Sequence, residues 1–332
     1  MPAPAAIATG IGSWPGTDVG EALAVIRGEL EQLPHLPELP ARGQGADLIG
    51  RAAARLVGLA VDLQPSGWRL VDRPGRDLAR AQAFWREDLE RLAEAFDGYA
   101  GRLKVQLAGP WTLAASLQLP RGERALTDAG AVRDLVQSSR ESGAALVAEV
   151  ARLVPGADVV LQLDEPSLPA VLDGRLPTVS GYGRVPAIGA PEVREGLAAV
   201  LEAARDAGAS TVVHCCAEDV PIALLRDSGA GAVSLDVTLL DASGWESVAA
   251  AVEAGVGLWA GALPTVGDVP ATRQVADVLT ARWRDVGLPV RDLAAVVVTP
   301  TCGLAGASPA GARAAVRRCT EVAAELTERA LA

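Results

Sequence analysis

The sequence predicts an α/β fold: a single (βα)8 TIM barrel with long N-terminal and mid-chain loops, one domain over residues 1–332. Three observations predict it. Short, β-branched apolar runs alternate with amphipathic Ala/Leu/Glu/Arg-rich stretches, the order that builds a parallel sheet covered by helices. The most unusual polar residues stand directly after the C-terminal ends of these runs, on the rim where such barrels place their active sites. No phosphate-binding fingerprint follows the first run: Gly10, Gly12 and Gly16 do not make G-x-G-x-x-G, and Pro15 interrupts the expected helix. A dinucleotide fold is therefore disfavoured.

Taken in order, the first run is Ile7–Ile11, closed by Gly12-Ser13. The Pro-rich stretch 33–40 and Ala41-Arg42-Gly43-Gln44-Gly45 read as a long loop over that strand, with His35 as a solvated loop residue. An eighth strand falls near Leu59–Leu63 or Trp68–Val71. Lys104–Ala108 ends at Gly109-Pro110, and Val159–Leu163 ends at Asp164-Glu165. Residues 168–189, rich in Gly, read as a second loop of the lid type. A helix over Pro191–Ala207 precedes Thr211–Val213, which runs into His214-Cys215-Cys216. Ala232–Leu235 ends at Asp236 and precedes a helix over Gly244–Ala254. Gly257–Ala260, a helix over Thr272–Val286, Val296–Thr299 leading to Cys302, and a helix over Pro309–Leu331 complete the chain.

Composition sets the outer limits. With 332 residues, 50% hydrophobic and 21% charged, the chain can bury a large core and is neither disordered nor a coiled coil. Its 30 basic and 41 acidic residues give a formal charge of -11 without a basic cluster, which argues against nucleic acid as a partner. No stretch approaches the roughly 18 apolar residues of a membrane span, and no positive region precedes the apolar residues at the start. A cytoplasmic protein without a membrane partner is expected. Four cysteines are too few for a disulfide scaffold, so reduced thiols are expected. The single lysine, Lys104, reads as coding bias.

The strongest chemical signal is Val212-Val213-His214-Cys215-Cys216. Side chains alternate along a strand, so His214 and Cys216 face one way and Cys215 the other. An imidazole and a thiolate on one side make half of a tetrahedral zinc site. Asp236 and Cys302, at two further strand ends, complete a candidate set of His214, Cys216, Asp236 and Cys302 for one Zn²⁺. Cys215 and Cys319 read as small core residues. A purely structural zinc would draw on close C-x-x-C pairs, whereas ligands spread over three strand ends favour catalysis.

Beside these ligands stand Ile11-Gly12-Ser13-Trp14-Pro15, Leu107-Ala108-Gly109-Pro110-Trp111-Thr112, Leu163-Asp164-Glu165-Pro166 and Pro300-Thr301-Cys302-Gly303-Leu304. Together, and in this order, they resemble the catalytic C-terminal barrel of the cobalamin-independent methionine synthases, in the wider group that includes uroporphyrinogen decarboxylase. The resemblance implies zinc held by His214, Cys216, Cys302 and, with a shorter side chain than the family's Glu, Asp236. It implies that Asp164 binds the amino group of homocysteine, and that Ile11 and Ser13 hold its carboxylate. Glu165, in the same Asp-Glu-Pro motif, is counted with the substrate site. His214, Cys216 and Cys302 would carry catalysis: a free thiol, with pKa about 8.5, is mostly protonated at neutral pH, and a zinc-bound one is not.

Two departures concern the methyl donor. The family's folate-stacking Trp falls near Ser116, and its His-Ser-Pro motif is replaced by Leu258-Trp259-Ala260-Gly261-Ala262-Leu263-Pro264, which has no histidine. A folate amine leaves poorly unless protonated. The expected donor is therefore either methyltetrahydrofolate or a methylcorrinoid protein. An acidic residue that contacts the substrate amine is also missing, with Arg42, Gln44 and Gly45 near its place. Transfer to another thiol, a uroporphyrinogen decarboxylase-like protein, and a non-enzymatic metal-binding protein are the competing readings; the second would need an Arg-rich N-terminal pocket, whereas Arg42, Arg51 and Arg55 read as mostly helix-spaced and solvated.

Overall fold

The computed structural model describes residues 5–332. In chain order its first half contains β1 (Ile7–Ala8), α1 (Val19–Glu29), α2 (Leu48–Ala54), β2 (Ala60–Gln64), β3 (Gly67–Val71), α3 (Arg76–Ala95), β4 (Ala100–Ala108), α4 (Pro110–Ser116) and α5 (Ala129–Leu153). The second half contains β5 (Gly156–Asp164), α6 (Leu168–Leu172), α7 (Ala190–Asp206), β6 (Ser210–Cys215), α8 (Ile222–Asp227), β7 (Ala232–Asp236), α9 (Ala242–Glu253), β8 (Gly257–Leu263), α10 (Thr272–Asp285), β9 (Val297–Pro300) and α11 (Pro309–Leu331). Seven strands form one curled, wholly parallel sheet in the order β1-β9-β8-β7-β6-β5-β4.

Local chemistry explains the elements. Asp18, Asp128, Asp241 and Ser308 each accept a hydrogen bond from the N–H three residues on, capping α1, α5, α9 and α11. Helix α7 buries Val193, Leu197, Val200, Leu201 and Ala204, one stripe at helical spacing, against the sheet side of the molecule. Inside the curl, Ile7, Leu33, Val160, Val212, Ala232, Trp259 and Val297 form a separate apolar cluster. Alternation places Gln162 and Asp164, His214, and Ser234 on the same inward faces, nearer the C-terminal strand ends. The sheet thus has an apolar floor and a polar mouth.

The expected eighth strand is not where the sequence placed it. Both candidate runs are strands, but they pair with each other as the antiparallel hairpin β2–β3, outside the parallel sheet. The gap between β1 and β4 is instead spanned by residues 34–38. Leu36 N donates to Lys104 O, and Lys104 N to Pro34 O, both at 2.9 Å. On the other side Glu38 N donates to Gly12 O at 3.0 Å and Trp14 N to Glu38 O at 2.8 Å. Pro34, Pro37 and Pro40 have no N–H to give, so the segment bridges the two edges without a continuous ladder. His35 is accordingly not solvated: it is buried, against Gly10 and Trp14. The mid-chain loop opens with the short helix α6. Among the described residues no helix is long and apolar enough to cross a membrane.

Candidate active site

Alternation along β6 turns His214 and Cys216 inward and leaves Cys215 buried on the opposite side. Cys302 arrives from the turn after β9, and its sulfur lies 2.9 Å from that of Cys216. That is well beyond the disulfide length of about 2.05 Å, and both cysteines are free. One ligand atom from each of His214, Cys216 and Cys302 lies within 4.8 Å of the others. The sulfurs lie within hydrogen-bonding distance: the hydrogen bond with Cys216 pulls the Cys302 thiol well below its ordinary range, and the same bond, then burial, pushes Cys216 up.

His214 Nδ1 lies 3.0 Å from Ser234 Oγ on β7, while Nε2 is buried without a hydrogen-bond partner among the described residues. An orphaned imidazole nitrogen beside two thiols is costly unless something binds it. A soft divalent cation such as Zn²⁺ suits this donor set, with Ser234 fixing the ring as an outer-shell partner. Asp236 is not gathered with the other three. Its Oδ1 accepts from Thr238 N at 2.9 Å and Thr238 Oγ1 at 2.6 Å, so the short side chain folds back to cap the turn after β7.

The three candidate ligands open into a cavity of about 280 Å³ that Ile11, Ser13, Glu38 and Asp164 also line. Asp164 accepts from Gln162 Nε2 at 2.7 Å; burial, then the charge of Glu38, raises its pKa well above the usual carboxylate range. Ser13 Oγ sits against Gly303, where a Cβ would lie only 1.9 Å away. The Ile11 carbonyl already accepts from Lys104 Nζ at 2.6 Å and Gln162 Nε2 at 2.8 Å, so Ile11 lines the pocket with its acceptor occupied.

Glu165 does not face the pocket. It is fully buried on the other side of the chain from Asp164, with Oε1 accepting from Trp111 N at 3.0 Å and Oε2 from Thr112 N and Oγ1 at 2.7 Å. Burial pushes its carboxyl up to about 7 against the pull of those three hydrogen bonds. Gly109 is required by this contact, because a Cβ there would lie 2.2 Å from Glu165 Oε1. The Gly-Pro-x-Thr and Asp-Glu-Pro motifs thus lock together, one carboxylate serving the pocket and the other the scaffold.

The sequence reading missed three residues. Glu38 supplies a second pocket carboxylate, raised by burial, from inside the stretch read as a loop. Its flanking prolines mark extended backbone, and that was the available signal. Ser234 stands two residues before Asp236 on one strand face, so alternation alone aims it at His214. Lys104 is buried in the sheet interior rather than incidental.

Residues 6–325 match the family described as the catalytic domain of the cobalamin-independent synthases. The chain belongs to that family. Among solved structures it is similar to a B12-independent methionine synthase from Shewanella sp. W3-18-1 in complex with selenomethionine. The two align with a TM-score of 0.66 at 13% identity, over 98% of this chain and 99% of that one. The match shows an α/β fold with a curled parallel sheet that resembles those of TIM-barrel enzymes. A GH5_18 protein from Streptomyces cattleya in complex with GlcNAc aligns with a TM-score of 0.49 at 15% identity, over 99% and 81% of the two chains. No curated protein matches the sequence. As a member of the cobalamin-independent synthase family the chain is an enzyme, with a candidate metal group at His214, Cys216 and Cys302.

Proposed function

We propose that this chain is a zinc-dependent S-methyltransferase, acting as one catalytic unit, that methylates homocysteine to methionine. One observation carries the reading: the His214, Cys216 and Cys302 cluster opens into the same cavity as Asp164, Glu38 and Ser13. A sulfur-activating end and an amino-acid-holding end share one small space. Zn²⁺ held there would supply the Lewis acidity that keeps a substrate thiol deprotonated near neutral pH. The chain's own residues do the rest. Asp164 and Glu38 hold the ammonium group, and Ser13 holds the carboxylate, so that the side-chain sulfur points at the cluster. The selenomethionine carried by the Shewanella enzyme is a ligand of this chemical class.

The donor side favours a methylcorrinoid protein over methyltetrahydrofolate. The sequence has two histidines; His35 is sealed in the interior and His214 belongs to the cluster. Neither is placed to protonate a departing folate amine. The decarboxylase-like alternative loses its arginines. Arg51 pairs with Asp88 and stacks on Trp85, Arg42 pairs with Asp88, and Arg55 pairs with Glu149, so none is left for a multiply anionic tetrapyrrole.

The test is a methyl-transfer assay that crosses homocysteine and other small thiols with the two donors, using wild type and Cys302→Ser. Homocysteine with the corrinoid donor is expected to give the highest rate, and equal activity in the variant would overturn the zinc reading. Asp164→Asn is expected to raise KM for homocysteine about ten- to a hundredfold, the loss of one charged hydrogen bond, while zinc content stays unchanged. Steady-state kinetics beside metal analysis checks both halves of that expectation.

A further inference from the structure

Lys104 is the one lysine of the chain, carried by β4 and completely buried. Its Nζ donates to the Ile11 carbonyl at 2.6 Å and to Gln106 Oε1 at 3.3 Å. Both acceptors are neutral, and Lys104 enters no ion pair among the described residues. A buried ammonium held only by neutral groups is costly, so a change of nearby charge is enough to move its proton.

The groups around it can be named element by element. Segment 34–38 presents Glu38 and His35, and β5 presents Asp164; the chain after β1 offers only the Ile11 carbonyl. Gln106 and Gln162, the other inward side chains beside it, are neutral. Arg51 stands behind Glu38, with Nε 3.6 Å from Oε1, and is itself paired with Asp88. Burial brings Lys104 down to about 7, with Asp164 and Glu38 pulling the other way. The cavity opens directly over these two carboxylates. A cation that enters there therefore meets a second cation beneath it, across low-dielectric protein.

We propose that the ammonium group of an amino-acid substrate, held by Glu38 and Asp164, displaces one proton from Lys104, which acts as a positioning residue for the substrate's amino end. The inference rests on the amino-acid reading above and deepens it. Where Lys104 is protonated and Glu38 and Asp164 are ionised, the step is an exchange: an ammonium enters, Lys104 passes from ammonium to amine, and the proton goes to solvent; product release reverses it. The neutral amine keeps an N–H for the Ile11 carbonyl, so the Ile11-Gly12-Ser13 turn holds its place while the charge changes.

Because Lys104 is the sole lysine, ¹³Cε-lysine labelling of the full chain gives one lysine NMR signal, whose pH titration reads this side chain alone. Methionine is the probe, since it has no thiol proton to lose. In the zinc-loaded protein the midpoint is expected near 7 without ligand, and below about 6 with methionine bound. As a second reading, wild-type affinity for methionine should fall about five- to tenfold from pH 8 to pH 6, by linkage. Lys104→Arg, which cannot release a proton in that range, should show a smaller fall, the part that remains belonging to Glu38 and Asp164, whose carboxyls burial raises. A lysine midpoint above about 9 in both states overturns the inference. Saturation by methionine without movement of the midpoint also overturns it, and leaves the methyltransferase reading standing. Failure of methionine and homocysteine to saturate the zinc-loaded protein overturns that reading and this inference together.

Discussion

Cys302→Ser is expected to strip the protein of zinc and of methyl transfer together. The argument is one of donor number. Three side chains, His214, Cys216 and Cys302, converge within 4.8 Å, and no fourth acidic or thiol group joins them among the described residues. A site that begins with three protein ligands cannot spare one. Disturbing an outer-shell partner typically costs about 10–100-fold in metal affinity, and losing a thiolate from the inner set should cost more than about 100-fold. Ser234→Ala, which removes the group beside His214 Nδ1, supplies the milder comparison within that 10–100-fold range. Metal analysis after dialysis against a graded chelator series orders the variants. Cys319→Ala, far off in α11, should retain wild-type zinc, and so should Asp236→Ala, whose carboxylate is spent on Thr238. Full zinc retention in Cys302→Ser would mean that the cluster is not the metal site.

The contrast between Cys302 and Asp236 shows what the sequence can and cannot carry. Strand-end position and side-chain alternation located His214, Cys216 and Cys302, because those depend only on period 2 and on the parallel order of the strands. Asp236 met the same criteria and still turned away. A hydroxyl two residues on competes for a short carboxylate, and that competition is settled by backbone geometry after the strand. Asp164 and Glu165 repeat the lesson: neighbours in one motif, they face opposite sides, and a motif match cannot say which one lines a pocket. Glu38 and Lys104 were hidden for another reason. Their roles follow from the Pro-rich segment 34–38 lying between β1 and β4, a long-range placement with no local periodicity to announce it. The hairpin β2–β3 satisfied the local strand pattern and drew the eighth-strand assignment away from it.

Glu165→Ala is expected to be the most destabilising single change at the mouth of the sheet, with little direct bearing on chemistry. Helix α4 starts at Gly109-Pro110 and has no side-chain cap of its own. Pro110 has no N–H, so Trp111 and Thr112 carry the exposed donors of the first turn, and both give them to Glu165 from the end of β5. The helix is buried, so water cannot replace that carboxylate. Removing it leaves two buried N–H groups and the Thr112 hydroxyl without an acceptor, at about 1–3 kcal/mol for each. A total near 4 kcal/mol is expected, because the small helix can shift to recover part of the loss. Glu165→Gln keeps the volume but turns an NH₂ toward one of the N–H donors, and should cost about half as much. Urea unfolding of the zinc-loaded protein measures both as changes in midpoint at constant slope. If Glu165→Ala unfolds within about 1 kcal/mol of wild type, the carboxylate is not what holds α4 against β5, and its burial beside the Asp164 pocket would need a different cause.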